Sequence, residues 1–360
     1  MSARIIQWGT GNVGKHALRA IVERPALDLV GLRVYNPEKV GQDAGDLLGQ
    51  AATGVVATDD VEHILDLDAD CVCYTALGST LADAEAPLDD ICRLLASGKN
   101  VVSSAVEYHA YFRDGLVFKG AGIDAHARLR DACADGQSSF FHVGVNPGFA
   151  MDLWPIVLSR LSRRIDHMTI TEVVDMSGYT SIHMVRDAIG FGLPPEAESA
   201  IDAHNRDLYG GAFYLSMRMV ADAIGVDIDE LRYRREVGVT DAPLEIAAGT
   251  IDAGTVAAMN MVFDGIVHGR PAITLRLVWR VSSDVAPDWP SGQSRWIVHV
   301  DGDPSIDSEI SLATTTDAGR ATSLAVATLL VNSIPTVIAA APGLLDNMTM
   351  PMHGGGWIAP

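Results

Sequence analysis

Arg4-Ile5-Ile6-Gln7-Trp8-Gly9-Thr10-Gly11-Asn12-Val13-Gly14, continuing without a break into Lys15-His16-Ala17-Leu18-Arg19-Ala20-Ile21, is the stretch that decides the fold. A short apolar run meets glycines spaced G-x-G-x-x-G, and Val13, Ala17, Leu18 and Ile21 then recur at helical spacing. Gly9 allows a tight strand-to-helix turn, Gly11 lets a pyrophosphate approach the backbone, and Gly14 lets helix and strand pack closely. The N–H groups and partial positive charge of that helix end suit a diphosphate. The spacing therefore predicts a dinucleotide site over Gly9, Thr10, Gly11, Asn12, Val13 and Gly14.

A second strand, Leu27 to Tyr35, stops at Asn36-Pro37. NAD enzymes usually carry Asp or Glu at that tip to bond the ribose diol. Tyr35 and Asn36 occupy it here, with Arg33 and Lys39 nearby. An acid would repel a 2′-phosphate, whereas Asn36 and Lys39 tolerate one, which favours NADP(H) and leaves NAD(H) open. The bland alternative has Lys39 solvating a loop. Further strands follow at Gly54 to Ala57, Asp70 to Thr75, Asn100 to Ser103 and Ser139 to Val145. Helical patterns separate them, beginning near Asp60, spanning Ala86 to Ser97 and filling most of Leu116 to Gly136. The alternation predicts an α/β fold: a Rossmann-type, doubly wound parallel sheet over residues 1–150. Ligands gather at the carboxyl ends of such strands, which adds the loop Ala76-Leu77-Gly78 to the cofactor set.

Past Pro147 the pattern changes. Helical segments at Asp152 to Arg163 and Ala203 to Ile224 accompany strands that pair with one another: Met168 to Val174, Leu231 to Thr240, Thr255 to Val267, Ala272 to Val281, Ser294 to Val300 and Ser305 to Leu312. His268-Gly269-Arg270-Pro271 and Asp301-Gly302-Asp303-Pro304 read as turns. Residues 151–315 thus form a second, α+β domain with a mostly antiparallel sheet, and a C-terminal helix over about 316–345 folds back on the first.

The 360 residues exceed what one core usually holds, so two domains are also the expectation from length. A net charge of −20 repels nucleic acid and anionic membranes. Ala321 to Ala341 is apolar enough to raise a membrane question, but its Ser, Thr, Asn and Pro residues favour a buried helix. Cys71 and Cys73 share one face of a strand at a spacing that is neither C-x-x-C nor a zinc pattern, which reads as buried thiols in a reducing cytoplasm. No histidine cluster has metal-ligand spacing.

Three segments can carry chemistry. Ser104-Ala105-Val106-Glu107-Tyr108 follows the fifth strand; Glu107 is placed for proton transfer, or else is an exposed loop carboxylate. Asn146-Pro147-Gly148 follows the sixth strand, where Asn146 either bonds a nicotinamide carboxamide or forms part of a structural turn. Asp175 to His183 brings Tyr179 and His183 towards the ligand crevice, although a lone histidine is more often structural. Tyr108, Phe140, Tyr179 and His183 are the expected substrate-pocket residues.

Gly9 to Gly14, Val101 to Glu107, Gly144-Val145-Asn146-Pro147-Gly148-Phe149-Ala150-Met151-Asp152, Gly190-Phe191-Gly192 and Val331-Asn332-Ser333-Ile334-Pro335 together carry a resemblance. The chain resembles the 2,4-diaminopentanoate dehydrogenase and native amine dehydrogenase family, a branch of the dihydrodipicolinate reductase-like proteins. The resemblance implies NAD(P)H-dependent reductive amination of small ketones or aldehydes by ammonia, with oxidative deamination in reverse. It places the family's carboxylate on Glu107 and adds Asn332 to the cofactor contacts; separately, the sheet of the second domain offers a surface for a homodimer, which the thiols place in the cytoplasm. The competing expectations are another imine or carbonyl reductase of that superfamily and a non-catalytic NADP(H) sensor.

Overall fold

A computed structural model describes residues 2–76, 85–105, 110–112, 125–206, 212–314 and 321–356. The chain forms two compact units: Met1–Gly148 together with Thr322–Pro360, and Phe149–Ala321.

The first unit alternates strand and helix: β1 Ala3–Trp8, α1 Asn12–Glu23, β2 Leu27–Arg33, α2 Ala44–Leu48, β3 Ala57–Thr58, α3 Val61–Asp66, β4 Cys71–Tyr74, α4 Glu85–Ala96, β5 Asn100–Ser103, α5 Ala125–Gly136 and β6 Ser139–His142. α1 buries Gly14, Ala17, Leu18 and Ile21, and stops at Arg24, whose extended backbone precedes Pro25. Asp60 caps α3 by accepting from the His63 N–H at 3.1 Å.

The second unit comprises α6 Leu153–Ser159, β7 Arg164–Asp175, α7 Ala200–Arg206, α8 Ala212–Ala223, β8 Glu230–Val239, β9 Leu244–Ile246, β10 Gly249–Ile251, β11 Val256–Val267, β12 Arg270–Arg280, β13 Ser294–Asp303 and β14 Ile306–Ser311. Its six-stranded sheet runs β14-β13-β7-β12-β11-β8, antiparallel except for the β7–β12 pair. Where the spacing predicts one helix from Ala203 to Ile224, the structure has α7 and α8, separated by residues outside those described. A π-helix, His183–Ile189, follows β7 and has no counterpart in the sequence reading.

The chain then returns to the first unit through α9 Ala321–Ala339 and β15 Gly343–Leu345. β15 completes a seven-stranded parallel sheet, β15-β6-β5-β4-β1-β2-β3. Alternate residues of its strands enter separate cores. Ile6, Trp8, Val72, Tyr74 and Phe140 pack with α4 and α5 on one side; Ile5, Cys71, Cys73 and Phe141 pack with α1 and α9 on the other. α9 is long and apolar enough to cross a membrane by length and composition; its Ala327, Leu330, Val331, Ile334 and Val337 are buried in this second core. Burial pushes the Cys71 thiol up to about 12, so it stays protonated and inert.

Candidate active site

The glycine turn sits at the carboxyl end of β1, pinned to β4 from behind. Gln7 donates through Nε2 to the Gly9 carbonyl at 2.9 Å and to Thr75 Oγ1 at 2.7 Å. Thr75 Oγ1 in turn donates to the Trp8 carbonyl at 2.9 Å. Gly9 has φ +94°, and a Cβ there would crowd the Thr75 carbonyl oxygen at 3.1 Å and the Ala76 nitrogen at 3.2 Å. A Cβ on Gly14 would fall on the Gly9 carbonyl oxygen and lie 2.7 Å from Thr75 Oγ1. Gly11 behaves differently: it is exposed, its backbone is ordinary at φ −73°, and an added Cβ would meet nothing within 4 Å. No side chain caps α1 at this residue. The inner side of the turn is filled by protein while Gly11, at an uncapped helix N-terminus, faces open space. That arrangement fits a dinucleotide's diphosphate. The sequence reading gave no role to Gln7 or Thr75; the signal available was a glutamine interrupting the apolar run from Ile5 to Trp8.

Lys39 ends the 3₁₀ turn Pro37–Lys39 and reaches back to this loop, donating to the Thr10 carbonyl at 3.1 Å and to Thr10 Oγ1 at 2.9 Å. Burial, and then the charge of Lys15, hold its amine below the ordinary lysine pKa. Two cations that oppose one another beside an uncapped helix end favour an anion. Asn36 accepts from the Glu38 N–H at 3.0 Å, capping its own turn, and donates to the Glu38 carboxylate at 3.4 Å. Arg33 stacks 3.7 Å above the ring of Tyr35, which is 53% exposed and accepts from Trp8 Nε1 at 2.9 Å. The tip of β2 thus presents a ring and a guanidinium. Ala76 is half-buried behind Gly9, and Leu77 and Gly78 lie outside the described residues.

Glu107 and Tyr108 also lie outside the described residues. The exit of β5 that leads to them is held on both sides. The Ala105 N–H donates to Ser103 Oγ at 3.0 Å, and the Ala105 carbonyl accepts from His142 Nδ1 at 3.2 Å. Burial lowers the His142 pKa to about 4, so its ring is neutral at ordinary pH. Asn146, half-buried, follows β6, and the turn behind it is tied by Asn347 Nδ2, which donates to the Gly148 carbonyl at 2.6 Å.

Two expected contacts are corrected. Phe140 is fully buried and packs edge-on against Phe112 in the core under α4 and α5, because the alternation of β6 turns it inward. It therefore offers no surface to a substrate. Asn332 accepts from Arg24 Nη1 at 2.9 Å and from the Gly356 N–H at 3.0 Å. Arg24 is the C-cap of α1, so Asn332 serves the end of that helix remote from the glycine turn. In the second unit, Tyr179 is 39% exposed. His183 projects from the π-helix with its side chain 84% exposed, and its Nδ1 meets Asp187 at 2.6 Å.

These features define a Rossmann-type dinucleotide-binding protein with a separate α+β unit. Residues 149–355 match the model of the 2,4-diaminopentanoate dehydrogenase C-terminal domain. The chain is 35% identical to an amine dehydrogenase of Streptomyces virginiae, covering 97% of this chain and 96% of the relative. It is 23% identical to the 2,4-diaminopentanoate dehydrogenase of Acetoanaerobium sticklandii, covering 97% and 93%. The structure of the amine dehydrogenase from Mycobacterium smegmatis shares the fold, with a TM-score of 0.73 at 20% identity and coverage of 98% and 97%. The chain belongs to the 2,4-diaminopentanoate dehydrogenase family. It is an oxidoreductase that uses a nicotinamide cofactor.

Proposed function

We propose that this chain is an NADP(H)-preferring amine dehydrogenase, joining ammonia to small ketones or aldehydes by reductive amination and running the oxidative deamination in reverse. The observation that carries this reading is the open cradle at Gly11 beside Lys39, in a chain 35% identical along its length to an amine dehydrogenase. Lys39, Arg33 and the lack of an acid at Tyr35 or Asn36 support the phosphorylated cofactor. The bound cofactor would supply the hydride in amination and take it in deamination.

Glu107 is assigned the proton. Amine oxidation needs a neutral nitrogen, since an ammonium has no lone pair to assist hydride departure. A carboxylate at Glu107 takes that proton, releases it to solvent once the hydride has left, and then as the free carboxylate takes a proton from the water that attacks the iminium carbon; in amination it holds and deprotonates ammonium. His142 and Ser103, both on Ala105, steady the chain two residues before it. Asn146 orients the nicotinamide carboxamide. The protein is assigned to the cytoplasm, in keeping with the buried thiols of Cys71, Cys73 and Cys133, and is assigned as a homodimer.

Initial rates of NADPH oxidation with butanone, measured with and without ammonium, test the assignment. Ammonium-dependent oxidation supports it. Oxidation that ignores ammonium identifies a carbonyl or imine reductase, and NADPH binding without oxidation identifies a sensor.

A further inference from the structure

Trp8 and Tyr74 close β1 and β4 at the same level of the parallel sheet. They are paired in register and fully buried, with their rings stacked at 5.5 Å. Each ring carries a polar atom that needs a partner inside the protein. Trp8 Nε1 donates to the Tyr35 hydroxyl at 2.9 Å, and the Tyr74 hydroxyl donates to Asp90 Oδ2, on α4, at 3.2 Å. The two phenol groups are also bonded to each other. An indole N–H only donates, a hydroxyl holds one proton, and an ionised carboxylate only accepts. The bonds therefore run one way, from Trp8 to Tyr35, from Tyr35 to Tyr74, and from Tyr74 to Asp90.

This buried chain ends on a surface ring. Tyr35 is 53% exposed although its hydroxyl is anchored inside, and the Arg33 guanidinium lies over it with Cζ 3.7 Å from the centroid. The Trp8 ring is 5.5 Å from the same carbon, and Arg33 Nη1 donates to the Val34 carbonyl at 2.6 Å. The direction in which Arg33 presents its remaining donors thus follows the plane of Tyr35. Ordering a surface arginine and a surface tyrosine only when a ligand arrives lowers affinity, and holding them in place beforehand avoids that loss. The trio satisfies the Trp8 indole already at Tyr35. Its continuation to a half-buried carboxylate is a net cost in stability, seen in the burial that holds Asp90 above the ordinary carboxylate range.

We propose that Tyr74 and Asp90 are positioning residues for the 2′-phosphate of the cofactor: acting through the Tyr35 hydroxyl, they hold the ring that aims Arg33. This rests on the NADP(H) reading above and deepens it. Neither residue touches the nucleotide; each acts at the tip of β2, beside the loop where Lys39 meets Thr10.

The test uses the full chain and needs no amine turnover. Tyr74→Phe keeps a ring against Trp8 and changes no charge, so the link between Tyr35 and Asp90 is what it removes. Fluorescence titration is expected to give a Kd for NADPH raised roughly three- to tenfold, with the Kd for NADH unchanged. Tyr35→Phe breaks the same link from the surface side and is expected to show the same rise, and the double variant no more than either alone. A Tyr74→Phe protein with the wild-type Kd for NADPH overturns the proposal. So does a rise shared equally by NADPH and NADH, which is what a merely structural role gives, and so do losses that add in the double variant. If Tyr74→Phe does not fold, Tyr35→Phe decides by the first two readings. A wild-type protein that binds NADH as tightly as NADPH refutes the phosphorylated-cofactor reading and the proposal together, whereas variants that keep the wild-type preference for NADPH refute the proposal alone.

Discussion

Two alanine substitutions in the same turn are expected to fail in opposite ways. In Gly14→Ala the new methyl falls on the Gly9 carbonyl oxygen, with Thr75 Oγ1 2.7 Å away, and both obstacles are fixed by hydrogen bonds from Gln7. Overpacking of this kind costs about 1–3 kcal/mol or more. For a unit of this size each kcal/mol lowers the melting temperature by roughly 2–4 °C. In Gly11→Ala the methyl enters open space from an unstrained backbone. Stability then changes only by the small preference for glycine over alanine at an N-cap, at most about 1 kcal/mol. That methyl occupies the room through which a diphosphate would approach α1. Losing one charge-assisted hydrogen bond, about 1.5–3 kcal/mol, corresponds to roughly a tenfold to hundredfold loss of NADPH affinity. Thermal melting and NADPH fluorescence titration of both variants read the two effects. A Gly11→Ala protein with wild-type NADPH affinity would refute the ligand reading of that space, and a Gly14→Ala protein with a wild-type melting temperature would refute the packing argument.

Three further outcomes are expected. Glu107→Gln lowers amine turnover by roughly a hundredfold or more while NADPH binding stays near normal, as steady-state rates and titration would record. Lys39→Ala raises the KM for NADPH about tenfold and leaves the KM for NADH nearly unchanged, since it removes one cation beside Thr10. His142 makes the first unit acid-labile: its ring titrates near 6.5 when unfolded but about 4 when buried, so between those values the unfolded chain binds a proton that the native one refuses. Stability therefore falls as pH drops through 6.5 and levels off below about 4, a loss of about 3 kcal/mol that urea unfolding should find in the wild type and not in His142→Asn.

The parallel sheet was legible because its information is local: glycine spacing, apolar runs and caps such as Asp60 lie within a few residues of one another. β15 was not, since three residues have no periodicity of their own and join the sheet only by pairing with β6. Which face a strand residue occupies is also not local, and on that ground Phe140 was misplaced in the substrate pocket. The asparagine of Asn332-Ser333-Ile334-Pro335 marked a relationship without saying which end of α1 it would meet. Trp8, Tyr35, Tyr74 and Asp90 belong to separate strands, a turn and a helix, and become neighbours only through sheet order and the packing of α4.

The most direct measurement of the central claim is mass spectrometry of the product formed from a simple ketone, nitrogen-15 ammonium and NADPH deuterated at its transferable position. The account predicts a primary amine that carries both labels on adjacent atoms. A deuterated alcohol without nitrogen, or no labelled product from a protein that binds NADPH, would contradict it.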